Sequence, residues 1–426
     1  MTKKEYPRIG ETVFYETLEN GLRVAIVKKP GFRKKMAFLS VLFGSADVNF
    51  TYKGEKYEMP AGTAHFLEHK MFEREGGEDA LAVLSKRGAT ANAFTSTDMT
   101  AFHFECTKLF YENLETLIDF VMHPAFTDES IEKEKPIIAQ EIVMGEDDPD
   151  NALYYNLLRC LFRRHPIRAE VVGTVKSIEG ITAEKLMLCH EAFYCPGNMQ
   201  LVLCGDLDEK ETIKKVAELM TAPRGFAPAR VYPKESEKPF REEKNAVMDV
   251  AAPLFLAGAK TEMGLKGSGA IRHELTAALS LSVLMGEASP LYARLYSEGV
   301  INETFGYDFE STNGVSFISF GGETDESDRV ISDVMREAKN LAENGLDSAF
   351  LERRKKSVIG DELRGLSSFD SICYNVACAM SEGYDYFDLV PVIGSITEKE
   401  VRNFLAKYVT PGRFAVSTVR GREEKI

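Results

Sequence analysis

The sequence predicts an α+β protein made of two similar units, each a mainly antiparallel sheet packed with helices. Three observations lead there. The chain has 426 residues, which at roughly 100–200 residues per domain is enough for two or more domains. Its first half mixes β-rich runs with segments of helical periodicity. A stretch dense in proline and charge near the middle is then followed by the same order of segments again. With 44% hydrophobic and 28% charged residues the composition is that of a folded protein. A formal net charge of -14 repels a phosphate backbone or an anionic bilayer, so neither nucleic acid nor a membrane surface is an expected partner.

The elements follow in order. Thr12 to Leu18 and Arg23 to Val27 are β-rich runs joined through Glu19-Asn20-Gly21-Leu22, where Asn-Gly supplies the positive φ of a tight hairpin. Met36 to Phe43 is a continuous apolar run closed by Gly44-Ser45, a central strand. Gly62 to Phe72 has helical periodicity with Thr63 as N-cap, and Gly76-Gly77 should end that helix. Ala91 to Glu105, rich in Thr and Phe, reads as a strand pair, and Phe110 to Met122 and Asp128 to Val143 as helices, the second starting at Asp128 or Ser130. Pro223 to Asn245 has linker chemistry, so the expected division is a first unit over 1–222, a linker over 223–245 and a second unit over 246–426. In the second unit Pro253 to Ala259 echoes Phe38 to Ser45, and Glu274 to Met285 takes the place of the Gly62 helix. Phe305 to Phe320 has strand character, and Phe350 to Leu363 parallels Ile131 to Ile142. Two unrelated α+β domains are the alternative to a duplication.

Seven cysteines, an odd number without a CxxC pair, lie scattered through apolar segments and read as reduced, mostly buried thiols. Met1 to Gly10 is polar, and apolar runs such as Leu275 to Met285 are far too short to span a bilayer. A cytoplasmic location is expected.

His65-Phe66-Leu67-Glu68-His69 concentrates the chemistry. On a helix the two histidines are one turn apart on one face with Glu68 beside them. Neutral imidazoles suit zinc, whose catalytic sites take three protein ligands and leave a position for water. The pair is one ligand short. Glu134 and Glu141, seven residues apart, share a helix face, so one can ligate while the other accepts a hydrogen bond from a ligand histidine. A solvated charged helix face would account for the same glutamates. The other histidines lack partners at ligand spacing, and His190 beside Cys189 reads as core. Glu146 to Asp150 reads as a solvated helix end or loop, although it could attract a basic peptide or a cation.

The His65-Phe-Leu-Glu68-His69 motif, followed after seventy-odd residues by Glu134-Lys-Pro-Ile-Ile-Ala-Gln-Glu141, resembles the M16 peptidases, among them insulysin, pitrilysin and the mitochondrial processing peptidases. Leu18 to Val24, Gly62 to Phe72 and Gly88 to Ser96 agree. The length is similar to that of the short bacterial processing-peptidase-like members. The resemblance implies two LuxS/metallopeptidase-like units related by duplication. It also implies zinc held by His65, His69 and Glu141, Glu68 as general base and Glu134 behind a ligand histidine. Asn92, Ala93 and Phe94 would lie on an edge strand that pairs with the peptide substrate.

The family also places an Arg and, seven residues later, a Tyr in the second half to hold substrate. Here Tyr307 can supply the Tyr, but Val300 stands seven residues before it and the nearest upstream arginine, Arg294, is thirteen away, so no Arg is assigned. The second half, whose sole histidine is His273, should be catalytically silent. The activity implied is a zinc endopeptidase that cuts short or unfolded peptides inside a closed chamber, the two units clasping the peptide. The expected assembly is a heterodimer with a paralogue lacking the zinc motif, with a homodimer or a self-sufficient monomer as alternatives. A non-catalytic structural or peptide-binding subunit is the competing function.

Overall fold

The computed structural model describes residues 1–74, 76 and 78–422. In chain order the first half runs β1 (Thr2–Tyr6), β2 (Glu11–Thr17), β3 (Arg23–Lys28), β4 (Lys35–Val41), β5 (Asn49–Tyr52), β6 (Glu55–Glu58), α1 (Thr63–Met71), α2 (Ala80–Lys86), β7 (Ala89–Thr95), β8 (Thr100–Cys106), α3 (Phe110–Met122), α4 (Asp128–Glu146), α5 (Pro149–Leu161), α6 (Val175–Glu179), α7 (Ala183–Phe193), β9 (Met199–Gly205) and α8 (Glu209–Leu219). After β10 (Ala229–Arg230) the second half runs β11 (Glu243–Val247), β12 (Leu254–Lys260), α9 (Ser268–Met285), α10 (Pro290–Ser297), β13 (Gly306–Thr312), β14 (Val315–Glu323), α11 (Ser327–Asn344), α12 (Ser348–Gly365), α13 (Phe369–Glu382), α14 (Leu389–Ser395), α15 (Glu398–Tyr408) and β15 (Phe414–Arg420).

The duplication is written in the strand order. The first sheet runs β1-β2-β3-β9-β4-β8-β7 and the second β11-β15-β12-β14-β13. With β1 and β2 set aside the two orders correspond strand for strand. In each, one parallel pair (β3 with β9, β11 with β15) joins an otherwise antiparallel sheet. Strand β7 ends the first sheet and β13 the second.

Local differences from the sequence expectations have local causes. Helix α1 begins at Thr63, but its N-cap is Gly62 at φ 91°. A Cβ there would lie 2.5 Å from the Val172 carbonyl oxygen, so the turn is open only to glycine. The Thr63 hydroxyl instead donates to the Pro60 carbonyl at 2.7 Å. The helix stops at Met71, before Gly76, and Gly77 lies outside the described residues. Helix α4 begins at Asp128, as the sequence reads, with Thr127 as its cap and Ser130 reciprocating, and it continues through Pro136. The acidic run after it ends α4 and caps α5 through Asp148.

The halves are tied by an exchange of helices. Helix α5, from the first half, packs on β11, β12 and β15 of the second sheet, while α13, from the second half, packs on β4 and β9 of the first. One face of the first sheet, with Val24, Ile26, Leu39 and Phe102, closes a core with α1, α3 and α7. The opposite face, with Ala25, Val27, Phe38 and Val202, shares a continuous core with Ile372, Cys373 and Val376 of α13. Burial of this kind contributes about 1.5–3 kcal/mol per large side chain, so separating the halves would cost far more than a hinge motion supplies.

Residues 223–245, with the chemistry of a linker, are stapled to both halves. Asp47, buried, accepts from Arg230 Nε at 3.0 Å, from the Tyr232 hydroxyl at 2.5 Å and, through its other oxygen, from the Gly44 N–H at 3.0 Å. Asn313 of the second half donates to the Tyr232 hydroxyl at 2.8 Å. The Glu235 carboxylate accepts the N–H groups of Arg163, Arg164 and His165 after α5. Removing the cation from a buried pair leaves the other charge stranded. Arg230→Met should therefore lower stability by about 3 kcal/mol, read by urea unfolding as a shifted midpoint within a single transition. Two separate transitions would show that the halves do not share one core.

Candidate active site

Helix α1 forms the floor of the site, with the β7 edge on one side and α4 on the other. Its two histidines stack obliquely with ring centroids 4.6 Å apart. Across from them Glu141 of α4 places one carboxylate oxygen 3.5 Å from His65 Nε2 and the other 3.7 Å from His69 Nε2. One donor atom from each of the three lies within 4.8 Å of the others. A tetrahedral zinc with bonds of about 2.0–2.1 Å sets its donors about 3.3 Å apart, so the group needs only a small contraction to enclose an ion. Two imidazole nitrogens and a carboxylate oxygen are a donor set that zinc accepts.

Glu134, two turns earlier, behaves differently. Its Oε1 lies 3.1 Å from His69 Nδ1, which commits that nitrogen to carry the proton and leaves the Nε2 lone pair facing Glu141. Its Oε2 is 3.3 Å from Lys70 Nζ. Lys70 is 1% exposed, also donates to the Ser130 carbonyl at 3.1 Å and pairs with Glu73. A buried ammonium with three acceptors thus pins the carboxylate that pins His69. The hydrogen bond that His69 donates to Glu134 raises the pKa of His69, and the same bond holds Glu134 below the ordinary carboxylate range. His65 likewise lowers Glu141.

Glu68 points to the other wall. It is 8% exposed, and burial lifts its carboxyl above the ordinary range, opposed by the Thr95 hydroxyl, which donates to Oε2 at 2.7 Å. Thr95 is the last residue of β7, and Thr100 behind it donates to the Phe43 carbonyl at 2.8 Å. Asn92, Ala93 and Phe94 lie on β7 itself, paired with His103, Phe102 and Ala101 of β8 and, among the described residues, with no strand on the other side. Phe94 stacks toward Phe38 and Tyr374, the latter from the exchanged helix α13.

The structure does not bring Tyr307 to this group. It stands on β13 and lines a separate cavity of about 650 Å³ with Pro149, Asp150 and Leu153. Arg294 is engaged by Asp333 at 2.7 Å. His190 is core: its Nε2 lies 3.0 Å from the Val121 carbonyl, and burial pushes its pKa down to about 4. The seven cysteines are unpaired, five of them buried. Among the described residues no helix is long and apolar enough to cross a membrane.

Lys70 and Thr95 went unassigned in the sequence because their roles are tertiary. Each stands in a segment that carries the motif, yet only the packing of α4 and β7 against α1 gives it a partner. If Lys70 orients Glu134 and through it His69, Lys70→Met should weaken zinc binding about 10- to 100-fold in competition against a chelator. Lys70→Arg should restore part of it. Unchanged affinity in Lys70→Met would remove Lys70 from the site.

Known proteins resemble the chain over its whole length. Residues 52–175 match the family described as Insulinase (Peptidase family M16), and residues 180–358 match the Peptidase M16 inactive domain. An uncharacterized zinc protease of Bacillus subtilis, YmfH, is 38% identical over 425 residues, covering 97% of this chain and 98% of that protein. The crystal structure of an M16-like peptidase from Alicyclobacillus acidocaldarius superposes with a TM-score of 0.93 at 32% identity, covering 99% of this chain and all of the other. A protease from Helicobacter pylori shares the fold at a TM-score of 0.77 and 17% identity, with 96% and 99% covered. With this likeness running from end to end, in sequence as in fold, the chain belongs to peptidase family M16.

Proposed function

We propose that the chain is a zinc-dependent endopeptidase acting on short or unfolded peptides. The observation that carries this reading is the convergence of His65, His69 and Glu141 on one point, with Glu68 held beside it by Thr95. A zinc ion held by the three would polarise a peptide carbonyl and lower the pKa of a water toward about 7. Glu68 would take the proton of the attacking water and pass it to the departing amine. An extended peptide adds to the free edge of β7 by main-chain hydrogen bonds, which fixes its register while asking little of its sequence.

A segment already paired or packed within a folded domain is not free to add to this edge, which favours short or unfolded chains. Because the halves of one chain share a core, enclosure of the peptide is better supplied by a second two-unit chain than by the halves opening as a clasp. We propose that this second chain is a paralogue without the zinc motif, because Tyr307 faces elsewhere and Arg294 is engaged by Asp333. The unpaired, mostly buried cysteines fit a reducing cytoplasm.

Glu68→Gln should keep its zinc and lose about 10²- to 10⁴-fold in turnover of an unfolded peptide, as read by metal content and a fluorogenic digest of the same preparation. Retained turnover would end the general-base role. The purified chain should gain activity when co-expressed with a related chain lacking His-x-x-Glu-His. Equal activity with and without that chain would remove the divided site.

A further inference from the structure

Two hairpin turns, one from each half, meet at the strand pair that holds Glu68. The β7–β8 turn, Ser96 to Met99, separates Thr95, which donates to Glu68, from Thr100, its directly paired neighbour across the strands. The β13–β14 turn is Asn313-Gly314, with φ of 49° and 77°. Positive φ at both central residues is what a two-residue Asn-Gly hairpin requires. Where the two turns touch, the Thr97 and Thr312 hydroxyls lie 2.8 Å apart. The chemistry above uses neither residue.

Counting protons gives this contact a direction. A hydroxyl has one proton to donate. Thr312 gives its own to the Asn313 side-chain oxygen at 2.8 Å, so Thr97 is the donor between the two hydroxyls. The Asn313 amide nitrogen donates to the Tyr232 hydroxyl at 2.8 Å, and Tyr232 donates to the buried Asp47 at 2.5 Å. Each link from Thr97 to Asp47 therefore runs donor to acceptor in the same sense. Asp47 closes a ring back to the first turn. Its other oxygen takes the Gly44 N–H at 3.0 Å, and the next two N–H groups, of Ser45 and Ala46, donate to the Ser96 and Thr97 carbonyls at 3.0 Å each. A Cβ on Gly44 would stand 2.4 Å from the Thr97 carbonyl oxygen, so this approach of two backbones requires glycine.

We propose that the β13–β14 turn is a brace by which the second half positions Glu68: Thr312 and Asn313 fix the Thr97 turn, and that turn fixes Thr95 against the Glu68 carboxylate. The inference rests on the peptidase reading. Thr95 stands immediately before the turn, and its hydroxyl has to stay within reach of Glu68 Oε2. Thr100 cannot replace it, because its proton goes to the Phe43 carbonyl. A turn free to slide would carry Thr95 off the carboxylate, and misplacing a reacting group by about 1 Å can cost about 10²-fold in rate. Thr97, Thr312 and Asn313 act through Thr95, so they are positioning residues. His65, His69 and Glu141 are carried by α1 and α4, so loss of the brace should act on turnover and leave zinc in place.

The test measures kcat, KM, zinc content and amide hydrogen exchange in Thr97→Val, Thr312→Val, Thr312→Ser, Asn313→Gly and the double variant Thr97→Val with Thr312→Val. The substrate is an unfolded fluorogenic peptide, cut by the chain alone and with the co-expressed related chain. Glycine at 313 keeps the positive φ while removing the amide. The two single valine variants and Asn313→Gly should lower kcat about tenfold, with KM changed less than about twofold and zinc retained. Exchange at the Ser45 and Ala46 amides should quicken in the same variants. Thr312→Ser should restore kcat, since serine keeps the hydroxyl. The double variant should lose no more than either single one, because both remove one shared contact. Faster exchange with kcat unchanged overturns the proposal, since the turn would then be braced without bearing on Glu68. Unaltered exchange, additive losses in the double variant, or a fall in zinc that accounts for the lost turnover overturn it too. If the zinc-loaded unchanged chain leaves the peptide intact in both preparations, the peptidase reading fails first and this inference with it.

Discussion

The contact between α1 and α4 is the constraint on which the site depends. Four polar side chains, His65, His69, Glu134 and Glu141, meet between two helices, and beside them Glu68 and Lys70 are almost fully buried. Polar groups removed from water cost free energy unless they are paired. Here Lys70 answers Glu134, Glu134 answers His69 and Thr95 answers Glu68. Besides the buried His65 Nδ1, what is left unanswered is the focus of two Nε2 atoms and one carboxylate, a point where a cation is the natural complement. The network is thus a scaffold that spends its hydrogen bonds on orientation and keeps its lone pairs for a metal.

The second half repeats this architecture with other contents. Helix α9 follows β12 as α1 follows β4, yet it carries no histidine pair and commits Leu275, Leu279, Leu281 and Leu284 to the core. Its Glu274 is pushed up to about 7 by burial and accepts from the Tyr384 hydroxyl at 3.0 Å, a structural pairing rather than a ligand set. The second unit still shapes the first. Through α13 it covers the back of the first sheet and sets Tyr374 against Phe94 at the edge strand. The stapled segment around Asp47, Tyr232 and Asn313 holds that relation fixed.

Much of this was legible in the sequence, and what was not has physical reasons. The His-x-x-Glu-His spacing needs only helical geometry to be read, and the repeated order of segments is visible as the matching sheets β3-β9-β4-β8-β7 and β11-β15-β12-β14-β13. Spacing alone could not separate Glu134 from Glu141, because seven residues place both on one face. Distance to Nδ1 or Nε2 separates them. Strand β1, with the polar sequence Thr-Lys-Lys-Glu-Tyr, and the short β5 and β6 carry little hydrophobic pattern of their own. The exchange of α5 and α13 was invisible because an apolar stripe records that a helix is buried and says nothing about which sheet buries it.

The central claim is that one metal is held by two imidazoles and a carboxylate. X-ray absorption at the zinc edge of the loaded protein tests it most directly, since zinc–nitrogen and zinc–oxygen bonds of about 2.0–2.1 Å are resolved from zinc–sulfur bonds near about 2.3 Å. The account predicts about one zinc per chain, an imidazole signature from two histidines, oxygen in the remaining positions and no sulfur, with the oxygen shell depleted in Glu141→Ala. A sulfur shell, or a spectrum unchanged by Glu141→Ala, would contradict it.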